Sequence, residues 1–401
     1  MTIRTSAAHS RQGPHGLIVC RYLGEASETW MYRQIVGFRQ IVPTVVCWGR
    51  KSDALYPTNG IPTEVVPFDP SPENSGRRWI RRVLNIRSGN FYGAVGPEFR
   101  ALKTIAQVSR ATVALCHFGQ VALRMLPVAR QCGIPVVAHF HGMDVSSSLR
   151  NRWYRWSLLR HLRSFAKVVV VGKHQRDWML AQGIPEAQVH LIPCGVPTNS
   201  FEPPPSKPPG RRLTITAVSR LVRWKGVEES LRAFALACAS GLDAELNVVG
   251  DGPELDRLRL LAAELDIEAR VCFHRSQPPV RIKEILGQSD IFIQHSLTGR
   301  DGWCEGFGVS LAEAAAMELP VVATRSGGIP DQVMDGETGI LIEERDIPAM
   351  ARAIDLLAAH PDLRTRMGRA GRERMINHFD TAGQVSKLEA VMLAAAAQAL
   401  N

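Results

Sequence analysis

The chain has 401 residues, of which 45% are hydrophobic and 21% are charged. It is long enough for two or three domains and too apolar to be disordered as a whole. Its 48 lysines and arginines exceed its 38 aspartates and glutamates by ten. That excess suggests a polyanionic partner, such as a nucleic acid, an anionic membrane surface or a phosphorylated substrate.

Neither a membrane span nor a disulfide framework is predicted. No apolar run approaches the roughly 18 residues of a spanning helix, and the polar start is unlike a secretory signal. The eight cysteines are scattered, without a C-x-x-C pair. Reduced thiols in a cytoplasmic protein are therefore expected.

The positive charge is divided unevenly along the chain. Residues 1–200 hold 25 basic and 10 acidic side chains, a balance of +15, whereas residues 201–401 hold 23 and 28, a balance of −5. Five prolines within residues 201–210 stiffen the chain near that boundary, which indicates a linker. We predict a first domain over 1–200, a linker over 201–212, a second domain over 213–378, and a helix over 379–401 that could pack back on the first domain.

Short apolar runs alternate with segments of helical spacing through both halves. The predicted strands are Gly16–Cys20, Pro43–Trp48, Ala111–Cys116, Pro135–Phe140, Ala166–Val171, Leu213–Val218, Ala244–Val249, Ile291–Gln294, Leu319–Ala323 and Gly339–Ile342. The clearest predicted helices are Pro253–Leu265 and Ser310–Met317. Apolar runs without alternation suit parallel strands buried on both faces, so we predict an α/β protein with two doubly wound domains. Ligands of such folds bind beyond the carboxyl ends of the strands, and a cleft between the domains is the expected site.

The most informative segment carries two carboxylates, Glu305 and Glu313, with Gly306 and Gly308 between them. Glycines let the backbone approach a ligand closely, and a helix that starts near Ser310 offers unpaired N–H groups to an anion. The segment therefore predicts a pyrophosphate cradle, with the carboxylates accepting hydrogen bonds from sugar hydroxyls. A surface loop before an ordinary charged helix start would explain the same residues.

Two further loops follow predicted strands of the second half. Arg220 and Lys225 follow the first of these strands, where cations could neutralise a diphosphate leaving group, although a solvated basic loop has the same composition. Gly250 and Gly252 follow the next strand and nearly match the dinucleotide fingerprint. A tight turn explains these glycines equally well.

In the first half, His139 and His141 end a predicted strand and face the same side. His141 could orient an acceptor hydroxyl, and packing in the core is the alternative. The pair could also ligate a metal, but no third ligand stands at a convincing spacing, so no metal site is predicted. The chain also lacks any D-x-D motif, the pattern of two aspartates that holds a divalent metal ion on a diphosphate. We therefore predict that cationic side chains and a helix start bind the diphosphate without a metal ion.

Two stretches combine arginine with aromatic residues. Residues 77–84 carry four arginines beside Trp79, and residues 151–163 carry four beside Trp153, Tyr154 and Trp156. This composition is typical of a helix that lies on an anionic membrane surface. A solvated helix face that buries its aromatics in its own core has the same pattern.

Together these segments resemble the retaining glycosyltransferases of family 4, which have the GT-B fold of two Rossmann-like domains facing a central cleft. In the second half the resemblance is carried by Ala217–Val222, Val249–Pro253, Glu305–Gly308, Ser326–Pro330 and Asp335–Gly339. In the first half it is carried more thinly by Ser27–Thr29, His117–Gly119 and His139–Asp144. Those three segments are similar to the branch that includes colanic acid and other exopolysaccharide transferases.

The resemblance implies a role for each matching position. Arg220 and Lys225 would bind the donor diphosphate and stabilise it as it leaves. Glu305 would contact the donor sugar, Glu313 the ribose, and His141 would lie near the reaction centre. Further donor-side positions are Gly250, Gly252, Phe307, Gly308 and Val309, and the acceptor-side positions are Ser27, Glu28, His117 and Asp144. As departures, Asp331 stands where many relatives have Glu, and the long loop Leu297–Cys304 leaves the donor sugar open.

The resulting hypothesis is a metal-independent, retaining transferase that needs no cofactor and uses a UDP- or GDP-sugar. Its acceptor would be a hydroxyl of a lipid-linked glycan in exopolysaccharide or cell-surface polysaccharide biosynthesis. The enzyme is expected in the cytoplasm, with its first domain against the anionic inner membrane. The alternatives are a sugar-nucleotide epimerase of the same fold, a nicotinamide-dependent oxidoreductase, which the absent glycine fingerprint disfavours, and a nucleic-acid-binding protein, for which no motif is present.

Overall fold

The computed structural model describes residues 13–25, 28–52, 56–58, 60–66, 83, 86–205, 211–300 and 302–398. The first sheet contains β1 (His15–Cys20), β2 (Val42–Cys47), β3 (Thr63–Val65), β4 (Val113–His117), β5 (Val136–Phe140), β6 (Lys167–Val170) and β7 (Val189–Leu191). The second contains β8 (Leu213–Val218), β9 (Ala244–Val249), β10 (Val271–His274), β11 (Ile291–Gln294), β12 (Val321–Thr324) and β13 (Gly339–Ile342). Every pairing in the two sheets is parallel.

The helices flank both faces of these sheets. In the first half they are α1 (Thr29–Gly37), α2 (Gly96–Val108), α3 (Gly119–Cys132), α4 (Arg152–His161) and α5 (Lys173–Ala181). In the second half they are α6 (Val227–Ala239), α7 (Leu255–Glu264), α8 (Pro279–Gln288), α9 (Val309–Ala316), α10 (Ile329–Gln332), α11 (Ile347–Ala359), α12 (Pro361–Phe379) and α13 (Thr381–Gln398). The predicted α/β class and its two doubly wound domains are confirmed.

The strand order in each sheet determines where a ligand can enter. The first sheet runs β3-β2-β1-β4-β5-β6-β7 and the second runs β10-β9-β8-β11-β12-β13. The order therefore reverses between β1 and β4 in one sheet and between β8 and β11 in the other. Open α/β sheets bind ligands at such switch points, beyond the carboxyl ends of the strands. The loops after these four strands meet across the cleft.

The last helix belongs to the core of the first sheet. After α12 the chain returns, with Val196 N donating to the Phe379 carbonyl at 2.8 Å and Thr381 N donating to the Val196 carbonyl at 3.0 Å. The apolar face of α13, which includes Leu388 and Met392, joins the hydrophobic cluster that also contains Ile18 of β1. The first domain is therefore built from both ends of the described chain.

A carboxylate of α13 fastens that helix to the first domain. Glu389 is 2% exposed, and its Oε1 accepts the backbone N–H groups of Arg39, Gln40 and Ile41 at 2.7, 2.8 and 3.0 Å. Hydrogen bonds to a charged acceptor are roughly twice as strong as neutral ones.

Within the part of the chain that the structure describes, no helix is both long enough and apolar enough to span a bilayer.

Candidate active site

A cavity of about 630 Å³ lies in the cleft between the two sheets. Residues from the loops after β1, β4 and β5 line one side, and residues from the loops after β8, β9 and β11 line the other. The lining combines aromatic rings with a few charged groups, as small-molecule sites commonly do. Its charged members are Glu25, Glu28, Arg220, Lys225, Asp251, Glu305 and Glu313.

A buried ion pair stands at the floor of this cavity. Lys225 Nζ lies 2.5 Å from Glu305 Oε2, and Glu305 is only 6% exposed. The same Oε2 also accepts hydrogen bonds from Gln294 and Ser296, both at 3.2 Å. No residue among those described donates to Glu305 Oε1, which is therefore the oxygen available to a hydroxyl of a bound sugar.

The start of α9 presents backbone donors to the cavity. With its amide oriented to satisfy both of its polar atoms, Gln332 accepts from Gly308 N at 2.8 Å and donates to the Gly308 carbonyl at 3.1 Å. The next two N–H groups, of Val309 and Ser310, have no partner among the described residues, and both residues line the cavity. Unpaired donors at a helix start bind anions such as a diphosphate.

The glycine after β9 is required by close packing. A Cβ on Gly250, which has φ +143°, would lie 1.8 Å from the carbonyl oxygen of Ser219. The loops after β8 and β9 are joined there, since Leu221 N donates to the Asp251 carbonyl at 2.8 Å. Gly250 thus lets two strand ends meet beneath Arg220, whose side chain is exposed in the cleft.

Glu313, one turn into α9, is held by the other domain. Its Oε1 lies 2.6 Å from Nη2 of Arg33 on α1, and the two side chains are 7% and 14% exposed. Arg33 Nη1 is buried without a hydrogen-bond partner in the described structure. The two domains are therefore joined by an ion pair that ends on Glu313, the carboxylate for which the resemblance implies a contact with the ribose.

His141 lies on the acceptor side against a tryptophan. The rings of His141 and Trp30 are 4.0 Å apart at 32°, and both residues line the cavity. Burial, together with His139 and His117, lowers the pKa of His141 well below its usual value. At neutral pH its imidazole is uncharged and can exchange hydrogen bonds with a hydroxyl group.

Asp144 positions this histidine from behind. Its Oδ2 accepts His141 N at 2.8 Å and its Oδ1 accepts Gly119 N at 2.9 Å, so one carboxyl group joins the loops after β4 and β5. Burial raises its pKa to about 7 against the opposing effect of these hydrogen bonds. Asp144 is 2% exposed and lies outside the cavity lining.

Glu28 is, with Glu25, one of the two first-domain carboxylates that line the cavity. Burial, and secondarily the charge of Glu25, raise its pKa to about 7, although Arg220 and Arg21 act in the opposite direction. Near neutral pH, the Glu28 carboxyl group is therefore protonated in some molecules and ionised in others. It can donate or accept a hydrogen bond, which suits recognition of a hydroxyl group.

Three histidines converge beneath the acceptor side. His117 ends β4 and is in register with His139 on the adjacent strand β5, and His141 follows two residues later. One ring nitrogen from each lies within 4.8 Å of the others. The expectation that no third ligand accompanies His139 and His141 is therefore wrong, because adjacent parallel strands supply His117 from a distant part of the sequence.

Comparison with known proteins places the chain in a family. The model described as Glycosyl transferases group 1 matches residues 199–374, and that described as Glycosyltransferase Family 4 matches residues 56–200. The GDP-mannose-dependent alpha-(1-6)-phosphatidylinositol monomannoside mannosyltransferase of Mycolicibacterium smegmatis is 32% identical over 63% of this chain and 69% of its own. WcaL of Escherichia coli K12, assigned to colanic acid biosynthesis as a glycosyltransferase, is 30% identical over 68% of each chain. The chain belongs to glycosyltransferase family 4.

Solved structures share the fold of this family 4 glycosyltransferase. Anabaena Alr3699/HepE in complex with UDP superimposes with a TM-score of 0.77 at 17% identity, covering 95% of this chain and 100% of the other. That likeness confirms the GT-B arrangement of two Rossmann-like domains. The relatives are named glycosyltransferases, so transfer, and not the alternative of epimerisation, is the activity that the family supports.

Most of the predicted site residues of the glycosyltransferase meet in the cavity. The lining includes Glu28, His141, Arg220, Lys225, Gly250, Glu305, Phe307, Gly308, Val309 and Glu313. Gly252, His117 and Asp144 lie outside it: the glycine packs against the Leu221 carbonyl, and the other two are buried behind His141. Ser27 lies outside the described residues. Asp331, the departure from the family pattern, accepts a hydrogen bond from Lys173 N of the first domain at 2.7 Å.

Several residues of the glycosyltransferase site could not be identified from the sequence alone. Arg33 is one of many arginines in a basic half, and only the contact between the two domains brings it to Glu313, 280 positions away. Gln294 is the last residue of β11 and Ser296 lies two residues beyond it. Only their hydrogen bonds to Glu305 connect them with the site. The alignment of His117 with His139 could have been inferred, since both residues lie near the carboxyl ends of the strands predicted over Ala111–Cys116 and Pro135–Phe140.

Proposed function

We propose that this family 4 glycosyltransferase transfers a sugar, with retention of configuration, from a nucleoside-diphosphate sugar to a hydroxyl of a surface or secreted glycan, and releases the nucleoside diphosphate. The observation that carries the proposal is the Lys225–Glu305 pair, which lies beside the unpaired N–H groups of Val309 and Ser310. Cations and a helix start suit a diphosphate, and the carboxylate suits sugar hydroxyls. No metal ion is required to hold the diphosphate in this arrangement, and no cofactor takes part.

The residues divide the chemistry between donor and acceptor. As the acceptor oxygen bonds to the anomeric carbon, the bond from that carbon to the phosphate oxygen breaks, and the hydroxyl proton passes to the departing phosphate. Lys225 and Arg220 would stabilise the charge that develops on the diphosphate. The neutral imidazole of His141 and the Glu28 carboxyl would orient the acceptor, and closure of the cleft would exclude water.

GDP-mannose is the first donor to test. The mycobacterial relative named above is GDP-mannose-dependent and acts on a phosphatidylinositol monomannoside, whereas the structural neighbour with UDP supports the fold alone. Melting temperatures of the full-length protein with GDP, UDP and ADP would identify the base, because a bound ligand raises the melting temperature by mass action. A panel of sugars on that base would then identify the donor.

The site assignment is tested with three variants of the full-length enzyme. We expect Lys225→Ala and Glu305→Ala to remain folded and to lose more than about 100-fold in turnover of the donor. Arg223→Ala is the matched control, since Arg223 lies two residues from Lys225 but pairs with Glu229 at 2.8 Å outside the cavity lining. Full activity in either cavity variant would refute the proposal.

We also propose that the first domain docks on an anionic membrane, on its cytoplasmic face, where a lipid-linked acceptor would be presented. Support comes from α4, whose outer face exposes Trp153, Trp156 and Leu159 by 39%, 38% and 40%. Four arginines of residues 152–163 are exposed beside them, whereas Tyr154 is buried in the core. Aromatic rings flanked by arginine suit the boundary between lipid headgroups and acyl chains.

Vesicle sedimentation tests the membrane proposal directly. The protein should sediment with phosphatidylglycerol-containing vesicles at low salt, and less with pure phosphatidylcholine or at high salt. Trp156→Ser should weaken sedimentation, whereas Leu260→Ser, which removes a 66% exposed leucine from α7 of the second domain, should leave it unchanged. Equal sedimentation of wild type and Trp156→Ser, or none at all, would overturn the proposal.

A further inference from the structure

The three buried histidines at the base of the acceptor side form a compact group. His117 and His139 are fully buried and His141 is 6% exposed. Their ring centroids are separated by 5.2 Å between His117 and His139, 5.7 Å between His117 and His141, and 4.4 Å between His139 and His141. Trp30 covers the group, with its ring 5.4 Å from His117 and 6.2 Å from His139.

The histidine nitrogens lack partners in the described structure. Both ring nitrogens of His117, both of His139, and Nε2 of His141 are buried without a hydrogen bond. A buried polar group without a hydrogen-bond partner destabilises the folded state, so five such atoms in one place are unfavourable unless a ligand binds them. The proposed function uses only His141 of the three and leaves His117 and His139 without a role.

The spacing of the three rings matches that of imidazoles around one metal ion. Zinc–nitrogen bonds of about 2.0–2.1 Å in a tetrahedral site place the three ligating nitrogens about 3.4 Å apart. The ligating atoms here lie within 4.8 Å of one another, so small rotations of the rings would complete the site. Adjacent strands hold His117 and His139 in register, which fixes two of the three ligands before any ion arrives.

The donor set also indicates which ions would bind. Three imidazoles without a carboxylate or thiolate from the described residues suit late first-row divalent ions and do not suit Mg²⁺ or Ca²⁺, which prefer oxygen. Three protein ligands leave a fourth position open. His141 lines the cavity, so the cleft offers the ion a route to the group.

We propose that His117, His139 and His141 form a binding site for a divalent transition-metal ion, with Zn²⁺ as the representative ion. The site is separate from the diphosphate-binding residues, all of which lie in the second domain. It does not rest on the proposed function. Because His141 belongs to both the metal site and the acceptor side of the cavity, a bound ion would fix the orientation of that ring.

Metal content of the full-length protein tests the site. Protein stripped with a chelator and dialysed against Zn²⁺ should retain one ion per chain, and its melting temperature should rise with Zn²⁺. Loss of an outer-shell partner weakens metal sites by about 10–100-fold, so His139→Ala, which removes a ligand, should weaken Zn²⁺ binding at least as much. His190→Ala is the control, because His190 lies on β7 of the same sheet, has a buried unpartnered Nε2 and does not belong to the group.

X-ray absorption at the zinc edge identifies the atoms bound to the ion in the wild-type protein, so this second test does not depend on whether the variants fold. The proposal expects nitrogen scatterers with the pattern of three imidazoles and no sulfur. Sulfur in the first shell would place the ion on cysteines and overturn the proposal. Equal Zn²⁺ content in wild type and a folded His139→Ala variant, or no retained Zn²⁺ in the wild type, would also overturn it.

Discussion

The individual carboxylates of the cavity have different surroundings. Glu305 is buried against the Lys225 ammonium at 2.5 Å, so its negative charge is compensated where it lies. Glu28 has no such ion pair among the described residues, and burial with the charge of Glu25 raises its pKa to about 7. The cavity thus combines an ion-paired carboxylate from the second domain with a weakly acidic one from the first.

Glu28 should therefore make stability depend on pH in a predictable direction. Its pKa is about 7 when folded and near the ordinary 4.5 when unfolded, so the folded state binds the proton more tightly. The free energy of unfolding contributed by this group is highest below pH 4.5 and falls as the pH rises to about 7. We expect Glu28→Gln, which resembles the protonated form, to melt higher than wild type at pH 8, by a margin that shrinks toward pH 5. A constant or reversed difference in melting temperature would contradict this assignment.

At the scale of elements, two glycine loops meet where the domains touch. A Cβ on Gly306 would lie 2.7 Å from the backbone of Gly142, and a Cβ on Gly142 would lie 3.0 Å from Gly306 N. The loop after β5 and the loop before α9 can approach this closely only without side chains. This contact brings His141 and Glu305, the neighbours of these glycines in sequence, to the same cavity.

Gly142→Ala should hold the two loops apart, and should therefore reduce sugar transfer without preventing nucleotide binding. Because misplacement of reacting groups by about 1 Å can cost about 100-fold, we expect a loss of at least tenfold in transfer. The nucleotide-induced rise in melting temperature should persist, since the donor residues lie in the second domain. Gly383→Ala serves as the control, because a Cβ there meets nothing within 4 Å. Wild-type transfer by Gly142→Ala would show that this contact is not needed.

The elements that the sequence predicts are those buried on both faces. All ten predicted strands are present, with Leu213–Val218, Ala244–Val249, Ile291–Gln294 and Gly339–Ile342 matching in both bounds. Three strands, β3, β7 and β10, were missed because they are short and partly exposed at or near sheet edges, as Val65 at 53% exposure illustrates. Short edge strands lack the continuous apolar run that identifies a buried strand.

At the scale of the whole molecule, the Arg33–Glu313 ion pair connects the first domain to helix α9 of the second. Both side chains are largely buried, and removal of one partner leaves a buried charge uncompensated. The sequence could not indicate this pair, because its existence depends on how closely the two domains approach. A nucleotide that uses Glu313 for its ribose must compete with Arg33 or share the carboxylate.

Arg33→Ala should reveal this competition. Without nucleotide, we expect the variant to melt below wild type, because Glu313 loses its counterion. With the cognate nucleoside diphosphate, the rise in melting temperature should exceed that of wild type, because the carboxylate is free. Arg39→Ala, which removes an exposed arginine just beyond α1, should change neither value. A smaller nucleotide-induced rise in Arg33→Ala would instead make Arg33 a nucleotide ligand.

The attachment of α13 by Glu389 has a consequence for biosynthesis of the protein. Domains generally fold in order as the chain emerges from the ribosome, N-terminal first. Here the helix that covers the first sheet is synthesised after the whole second domain, and its carboxylate satisfies three backbone N–H groups near the end of α1. The first domain therefore cannot be completed until translation has passed residue 389, and until then it exposes the apolar surface that α13 will cover.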